Sequence, residues 1–371
     1  MKYFLIAGEA SGDLHGANLI KEIKRFDTNA NFEFWGGDLM HKAAEKSPLK
    51  HIQELAIMGF LEVVVNLVKI KKNFKECKQQ IADFNPDAVI MIDYPGFNLR
   101  IAPFVKELNI TSFYYISPKA WAWKKNRVYK IKKYIDVLFT ILPFETEFYQ
   151  QYGYQVNYIG NPLMDEIQHY KDKHPKNNDL SQKPAIALLP GSREQEIRRM
   201  LPTMLTAARM FPDYQILVAG APNFNAEYYH TIDGNNDYQL IFNDTYGLLS
   251  QSEVALVTSG TATLETALLN IPEVVCYKAN TVSYFIAKNL VSIKYISLVN
   301  LIMDKEVVKE LIQYDFTVRK IVEELNCIIA GGNQRSKMLN DYLKLQEKVG
   351  TAGASQRAAK AIVSTLLNQQ N

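Results

Sequence analysis

Three observations predict an α/β protein built from two doubly wound, mostly parallel sheets. Short apolar runs alternate with helical-period segments along the whole chain. The 371 residues exceed the roughly 150 expected of one domain. A polar, proline-containing stretch, HYKDKHPKNNDLSQKP at 169–184, interrupts the alternation near its middle and reads as a boundary loop. The expected domains are therefore residues 1–168 and 184–349.

In the first half the expected strands are 2–7, 32–35, 88–92, 112–116, 137–141 and 155–159. Helices fall between them, notably 14–25, 59–83 and 98–108. After the boundary the expected strands are 185–189, 215–218, 239–242, 254–257 and 273–277. The end of the chain, ASQRAAKAIVSTLL, is helical and follows a break at Gly350–Gly353. Ligands in doubly wound sheets sit beyond the carboxyl ends of the strands, and two such domains would bring two strand-end faces to a shared cleft. The informative residues are thus those just after each strand.

Bulk composition excludes several classes. Hydrophobic content of 47% with 22% charged is ordinary for a globular protein. A net charge of +3 is too small for nucleic-acid binding through bulk electrostatics. Cys77, Cys276 and Cys327 form no zinc or disulfide spacing, which fits a reducing cytoplasm. The six histidines are scattered, so no metal site is expected. The N-terminal apolar run meets Glu9 too early for a signal peptide. No stretch approaches the roughly 18–20 apolar residues of a membrane span, so the chain is expected to be soluble or to lie on a surface.

Two loops of the second half suit an anion. ALLPGSREQEI places Gly191, Ser192 and Arg193 after a strand, and ALVTSGTATLETAL does the same with Ser259, Gly260 and Thr261. Each feeds a helix whose first N–H groups lack internal partners, and small residues let an anion approach them. Arg193 adds a planar donor fork suited to phosphate. Glu265, one turn into its helix, can accept from ribose hydroxyls. Together these suggest a nucleoside diphosphate site. The plainer alternatives are a surface salt bridge for Arg193 and a solvated glutamate at position 265.

The first loop, LIAGEASGDLHGANLI at 5–20, has a similar shape and the opposite charge. Its glycines do not fit G-x-G-x-x-G. Glu9 and Asp13 would repel a pyrophosphate but accept hydrogen bonds from sugar hydroxyls. The loop reads as an acceptor-sugar or catalytic loop, with capping of the helix by Ser11 or Asp13 as the alternative. DAVIMIDYPGFNLR at 87–100 puts Asp93 at a buried strand's end, where it can act as a general base or serve as a turn aspartate before Pro95.

Two further segments suggest an amphiphilic partner. SPKAWAWKKNRVYKIKKYI, 117–135, mixes Trp121 and Trp123 with seven lysines and arginines, suited to an anionic headgroup or phosphorylated substrate. A core tryptophan pair beside a solvated basic helix is the alternative. In IMGFLEVVVNLVKIKKNF, 57–74, Leu61, Val64, Val65 and Val68 form one stripe. Phe60, Val63, Leu67, Ile70 and Phe74 add apolar surface beyond what packing on a sheet requires. Edged by Lys69, Lys71, Lys72 and Lys75, it suits acyl chains or a membrane surface. A helix buried on both sides, or a contact between two copies of the chain, would use the same surface.

The motifs AGEASGD with Gly16-Ala17, IMGFLEVV, IDYPGFN, SPKAWAW, LPFE, LLPGSREQEI, SGTATLE, and SLVN followed by KELIQ, in this order from about residue 5 to 313, resemble the lipid-A-disaccharide synthases. The resemblance implies the two-domain GT-B glycosyltransferase fold, with the C-terminal helix, about 350–371, crossing back to the first domain. It implies a peripheral inner-membrane enzyme of lipid A biosynthesis in the Gram-negative envelope. UDP-2,3-diacylglucosamine would be the donor and 2,3-diacylglucosamine 1-phosphate (lipid X) the acceptor, with no metal or cofactor. Residue by residue, Glu9 and Asp93 match acids of the family's active site, with Asp93 the favoured base. Arg193 matches a nucleotide-sugar-site arginine, Asn300 a functional asparagine, Glu265 the ribose-binding glutamate and Gln313 a donor-side glutamine. Gly96, Asn161 and Lys309 depart from residues common in the family.

Overall fold

The computed structural model describes residues 1–55, 67–123, 125–174, 183–235, 237–258, 260–280 and 294–370. The chain divides into two units, one of Met1–Asp165 with Thr351–Asn371 and one of Glu166–Gly350.

The first unit runs β1 (Lys2–Ile6), α1 (Ala10–Phe26), β2 (Asn31–Gly36), α2 (Asp38–Ala44), β3 (Lys50–His51), α3 (Ile52–Leu55), α4 (Leu67–Phe84), β4 (Ala88–Ile92), α5 (Pro95–Glu107), β5 (Thr111–Tyr115), α6 (Ala120–Trp123), α7 (Arg127–Tyr134), β6 (Val137–Thr140), α8 (Glu145–Gln150) and β7 (Asn157–Tyr158), and α9 (Pro162–Lys173) begins in it and runs on into the second. Its sheet has the order β3-β2-β1-β4-β5-β6-β7, with every neighbouring pair parallel. Both faces of a parallel sheet are covered, so its strands are apolar on both sides. Tyr3, Leu5 and Ala7 enter one buried cluster and Phe4 and Ile6 the other, the alternation that a strand's period of two imposes.

The second unit continues with β8 (Ala185–Leu189), α10 (Glu194–Ala208), β9 (Gln215–Gly220), α11 (Ala226–Ile232), β10 (Gln239–Phe242), α12 (Thr245–Ser250), β11 (Val254–Thr258), α13 (Thr261–Leu268), β12 (Glu273–Tyr277), α14 (Leu298–Met303), β13 (Lys309–Ile312), α15 (Val318–Ile328) and α16 (Arg335–Val349). Its parallel sheet has the order β10-β9-β8-β11-β12-β13.

The chain then returns to the first unit as α17 (Ala354–Gln370). Ala358, Ala359, Ile362, Val363 and Leu366 pack in the cluster that holds Ala17, Ile20 and Ile23 of α1. Asp165 caps its start, accepting the backbone N–H groups of Gly353, Ala354 and Ser355. No helix among the described residues is long and apolar enough to cross a membrane.

Strand β3 and strand β13 were not expected from the pattern: one is two residues long and the other, KELI, is half polar. Residues 169–173, expected in the boundary loop, extend α9 instead. Lys171 and Lys173 suit a helix C-terminus, so polarity there marks a solvated helix end. Helix α1 begins at Ala10 rather than 14, because glycines inside it are tolerated once tertiary packing holds them.

In each sheet the strand order reverses once. In the first, β1 and β4 are neighbours, with Ile6 opposite Met91. In the second, β8 and β11 are neighbours, with Leu189 opposite Val257. The loops leaving these strand pairs line the switch point, the standard ligand position in such sheets.

Candidate active site

At the first unit's switch point, Gly8 and Glu9 follow β1 and Asp93 and Tyr94 follow β4. Asp93 and Tyr94 both have left-handed backbones, φ +41° and +48°. Such residues cost roughly 1–3 kcal/mol each and persist only where the surroundings hold them. Here the Asp93 N–H donates to the Tyr115 carbonyl at 3.0 Å. Its own carbonyl accepts from Asn98 Nδ2 at 2.7 Å and from the Tyr114 hydroxyl at 2.5 Å. Tyr94 stacks on Phe97 at 5.5 Å and lies over Gly8. A Cβ at position 8 would sit 2.4 Å from that ring, so glycine is required there by close approach.

The Asp93 carboxyl is pushed up to about 6. Burial is the main cause and the nearby Glu9 charge adds to it; Lys119, the Tyr94 N–H and Arg127 pull it back. An acid titrating just below neutrality is ionised at the working pH yet basic enough to take a proton. Glu9 is exposed at the start of α1 and makes no side-chain cap. Ser11 is exposed as well.

Asp13 does not join this pair, and its expected catalytic role is corrected. It is 4% exposed. Its Oδ1 accepts the N–H groups of Gly37 and Met40, and its Oδ2 that of Leu39. It satisfies the otherwise orphaned donors at the start of α2. It therefore caps a helix, though α2 rather than its own α1. Trp121 is corrected too. It is buried, with its indole N–H on Glu145 at 3.2 Å and its ring edge-on to Phe144, so it offers no surface to a headgroup.

At the second unit's switch point, Gly191 has φ +105° and Ser192 is exposed. Arg193 opens α10, its N–H 3.3 Å from Glu196 Oε2. Its side chain is 83% exposed, and the guanidinium meets Glu196 at 3.5 Å; solvent leaves that pair weak and the fork accessible to an anion. Across the switch point Gly260, φ +138°, opens α13, whose first residue Thr261 is exposed. Glu265 is raised by burial; the Tyr246 hydroxyl, donating at 3.1 Å, pulls it back, and Glu166 raises it further. Tyr246 in turn rests edge-on against Tyr170.

Asn300 departs from the expectation of a ligand contact. It is fully buried, Nδ2 donating to Val308 and Glu310 and Oδ1 accepting from Val307 and Val308. Four bonds use up an amide's capacity, so it holds the turn into β13 from behind. Gln313 follows that strand with φ +53°, and its Nε2 reaches the Ala279 carbonyl at 3.4 Å.

On α4, Val68 is 80% exposed, Ile70 is half-buried, and Lys69, Lys71, Lys72 and Lys75 are exposed. Phe74, expected in the spare apolar surface, instead stacks on Phe97 at 4.6 Å against the core. Val63, with Phe60, Leu61, Val64 and Val65, lies outside the described residues, as do Ser259 and the side chains of Leu67 and Trp123. Of the family departures, Gly96 faces open space, Asn161 is buried and accepts the Leu163 N–H, and Lys309 pairs with Glu306.

Tyr94, Asn98, Tyr114 and Tyr246, which contact the candidate site's Gly8, Asp93 or Glu265, were not expected there from the sequence. Two of them lie inside IDYPGFN, where the signal was present but read only as turn and helix start. Tyr114 and Tyr246 reach their partners from other strands or helices, and nothing local marks them.

The lipid-A-disaccharide synthetase family profile matches residues 3–363. Lipid-A-disaccharide synthase of Syntrophus aciditrophicus is 37% identical over 368 residues, covering 96% of this chain and 95% of that protein. The Psychromonas ingrahamii enzyme of the same name is 37% identical over 380 residues, covering 99% and 98%. Among solved structures, Neisseria meningitidis UDP-GlcNAc 2-epimerase bound to UDP-GlcNAc superposes with a TM-score of 0.68 at 15% identity, covering 99% of this chain and 100% of the other. That likeness shows the GT-B fold of two Rossmann-like domains.

Proposed function

This chain belongs to the lipid-A-disaccharide synthase family and is a glycosyltransferase, and from that premise we propose how its two switch points divide the reaction. The donor is UDP-2,3-diacylglucosamine and the acceptor is 2,3-diacylglucosamine 1-phosphate. The products are UDP and a β(1→6)-linked disaccharide 1-phosphate. Asp93 takes the proton of the acceptor 6-hydroxyl, and that oxygen attacks the donor anomeric carbon from the face opposite UDP, inverting it. Glu9 accepts from the acceptor sugar. Charge on the departing diphosphate is met by Arg193 and by the helix starts at Glu194 and Thr261, which are positive ends already in place before reaction. Glu265, oriented by Tyr246, takes the ribose hydroxyls, and Gln313 lies on the donor side.

The observation that carries this reading is Asp93: a carboxyl held in a strained turn, raised to about 6 by burial and Glu9. The experiment is mass spectrometry of the product formed by purified protein from both acylated sugars. A tetraacyl disaccharide with acceptor-dependent UDP release is expected. Turnover of water-soluble UDP-GlcNAc alone would instead indicate an epimerase, and nucleotide binding without any UDP release a non-catalytic lipid-binding module.

Acylated substrates also give the lysine-edged helix a use. Each buried methylene is worth about 0.8 kcal/mol, so a diacyl sugar stays in the bilayer and the enzyme works at the inner-membrane surface. Polar substitutions at Val63, Leu67 and Ile70 are expected to weaken vesicle binding more than thermal stability. A pure loss of stability would assign those positions to the core.

A further inference from the structure

A second carboxyl of the first unit is buried and hydrogen-bonded beside this chemistry without taking part in it. Glu145 begins α8 and is 1% exposed. Its Oε2 accepts the N–H groups of Ile141 at 3.1 Å and Leu142 at 3.0 Å, both just after β6. Its Oε1 accepts the Trp121 indole N–H at 3.2 Å, from the segment after β5. Ser117, at the start of that segment, shares its hydroxyl with Tyr149 at 2.8 Å, and its polarity favours the ionised Glu145 carboxyl. One carboxylate thus ties together the loops leaving two neighbouring strands.

The tied loop bears on Asp93. It carries Lys119 and leads into Arg127, the two side chains whose positive charge acts on the Asp93 carboxyl. It also begins under strain: Ile116 has φ +69°, a left-handed backbone that a β-branched residue rarely adopts.

We propose that Glu145 is a positioning residue for the transfer reaction: its carboxylate clamps the Ser117–Trp121 segment to the Ile141–Leu142 turn and so sets where Lys119 stands relative to Asp93, whose N–H is bonded to the Tyr115 carbonyl just before that segment. Burial pushes the Glu145 carboxyl up to about 7, while the Leu142 and Ile141 N–H groups and the Trp121 indole pull it back toward the ionised form that such donors match. Glutamine at 145 would set an NH₂ against N–H donors. The charged and titratable groups facing Asp93 are Glu9, Tyr94, Tyr114, Lys119 and Arg127. Those facing Glu145 are Tyr149 and Tyr158. Of these groups Lys119 alone lies on the Ser117–Trp121 segment that Glu145 holds, and Arg127 opens the next helix, so loosening the clamp moves the Lys119 charge away from Asp93 and leaves Glu9 in place.

The test is the Asp93 titration in full-length protein carrying ¹³C-carboxyl aspartate, with Asp93→Asn supplying the assignment. Glu145→Gln is expected to move the Asp93 midpoint up by about half a unit or more. The acid limb of kcat/KM should move with it, and KM for the UDP-sugar should stay put. Trp121→Phe deletes one donor and should move the midpoint the same way by less, and it carries the test if Glu145→Gln does not fold. Lys119→Met should also raise the midpoint, and its shift should fail to add to that of Glu145→Gln. Folded variants whose midpoints stay within about 0.2 unit of the parent would overturn the proposal. The kinetic part rests on the reading of Asp93 as base. A midpoint that moves while the rate profile does not would uphold the clamp and reject that reading.

Discussion

The two units present the same geometry with opposite charge. In each, two loops leave neighbouring parallel strands at a switch point, β1 and β4 in one, β8 and β11 in the other. In the first unit those loops carry Glu9 and Asp93 and a turn strained at two residues. In the second they carry glycines and an exposed arginine, and each opens a helix of its own. The difference teaches that the fold supplies only a place. Whether that place handles a hydroxyl proton or a diphosphate is decided by a few side chains at the strand ends.

The comparison can be broken most directly at Asp93. Asp93→Asn should lower kcat by roughly 10²–10⁴-fold while UDP affinity, measured by calorimetry, stays within about twofold of the parent. Lost UDP affinity would mean the two units are not separate in function. The same variant should gain stability at neutral pH. The folded protein holds the Asp93 proton more tightly than the unfolded chain does, so ionising it costs stability, on the order of 1–3 kcal/mol. That cost is absent below about pH 4 and complete above about pH 6. Denaturation across that range should show the two proteins converging at the acid end.

Arg193→Ala probes the other side. Loss of a charge-assisted contact should weaken UDP binding by roughly 10- to 100-fold and leave the Asp93 titration unchanged. A moved Asp93 midpoint would show that charge in the second unit reaches the first. Gly8→Ala tests whether the strained turn is held by shape. The added methyl meets the Tyr94 ring, and overpacking of this kind costs roughly 1–3 kcal/mol. Turnover should drop with stability. Unchanged activity would show that the turn tolerates displacement.

The smallest effect on turnover is expected from Glu273→Gln. Glu273 opens β12, at the end of the sheet opposite the candidate site, and is fully buried. Burial, then Glu310, raises it well above the usual carboxylate range. Glutamine should stabilise the protein increasingly as pH rises above about 4, with kcat unchanged. Unequal activity would mean that buried acids matter here wherever they lie, and the contrast between strand ends would lose its force.

Residues made parts of this legible in unequal measure. The runs AVIMI, AIALL and VALVT are apolar throughout because both faces of a parallel sheet are covered, so periodicity alone finds their strands. The chemistry of ALLPGSREQEI and ALVTSGTATLETAL could be read from small residues before a helix. Asp13 could not. Its carboxylate looks as available in the sequence as that of Glu9, and only the approach of α2 to α1 commits it to capping. Asn300 and Trp121 are alike in this: polar groups whose partners lie on other elements.

The sequence by itself determined the class of fold, most strand positions and the loops that carry charge, because these follow from local periodicity and from residue chemistry at strand ends. Tertiary structure alone decided which strands are neighbours. That choice brings Tyr114 and Asn98 to the Asp93 carbonyl, spends Asp13 and Asn300 on structure, and raises Asp93 through burial. Hydrogen-bond partners and desolvation are properties of the surroundings, and for these residues the surroundings come from segments distant in the chain.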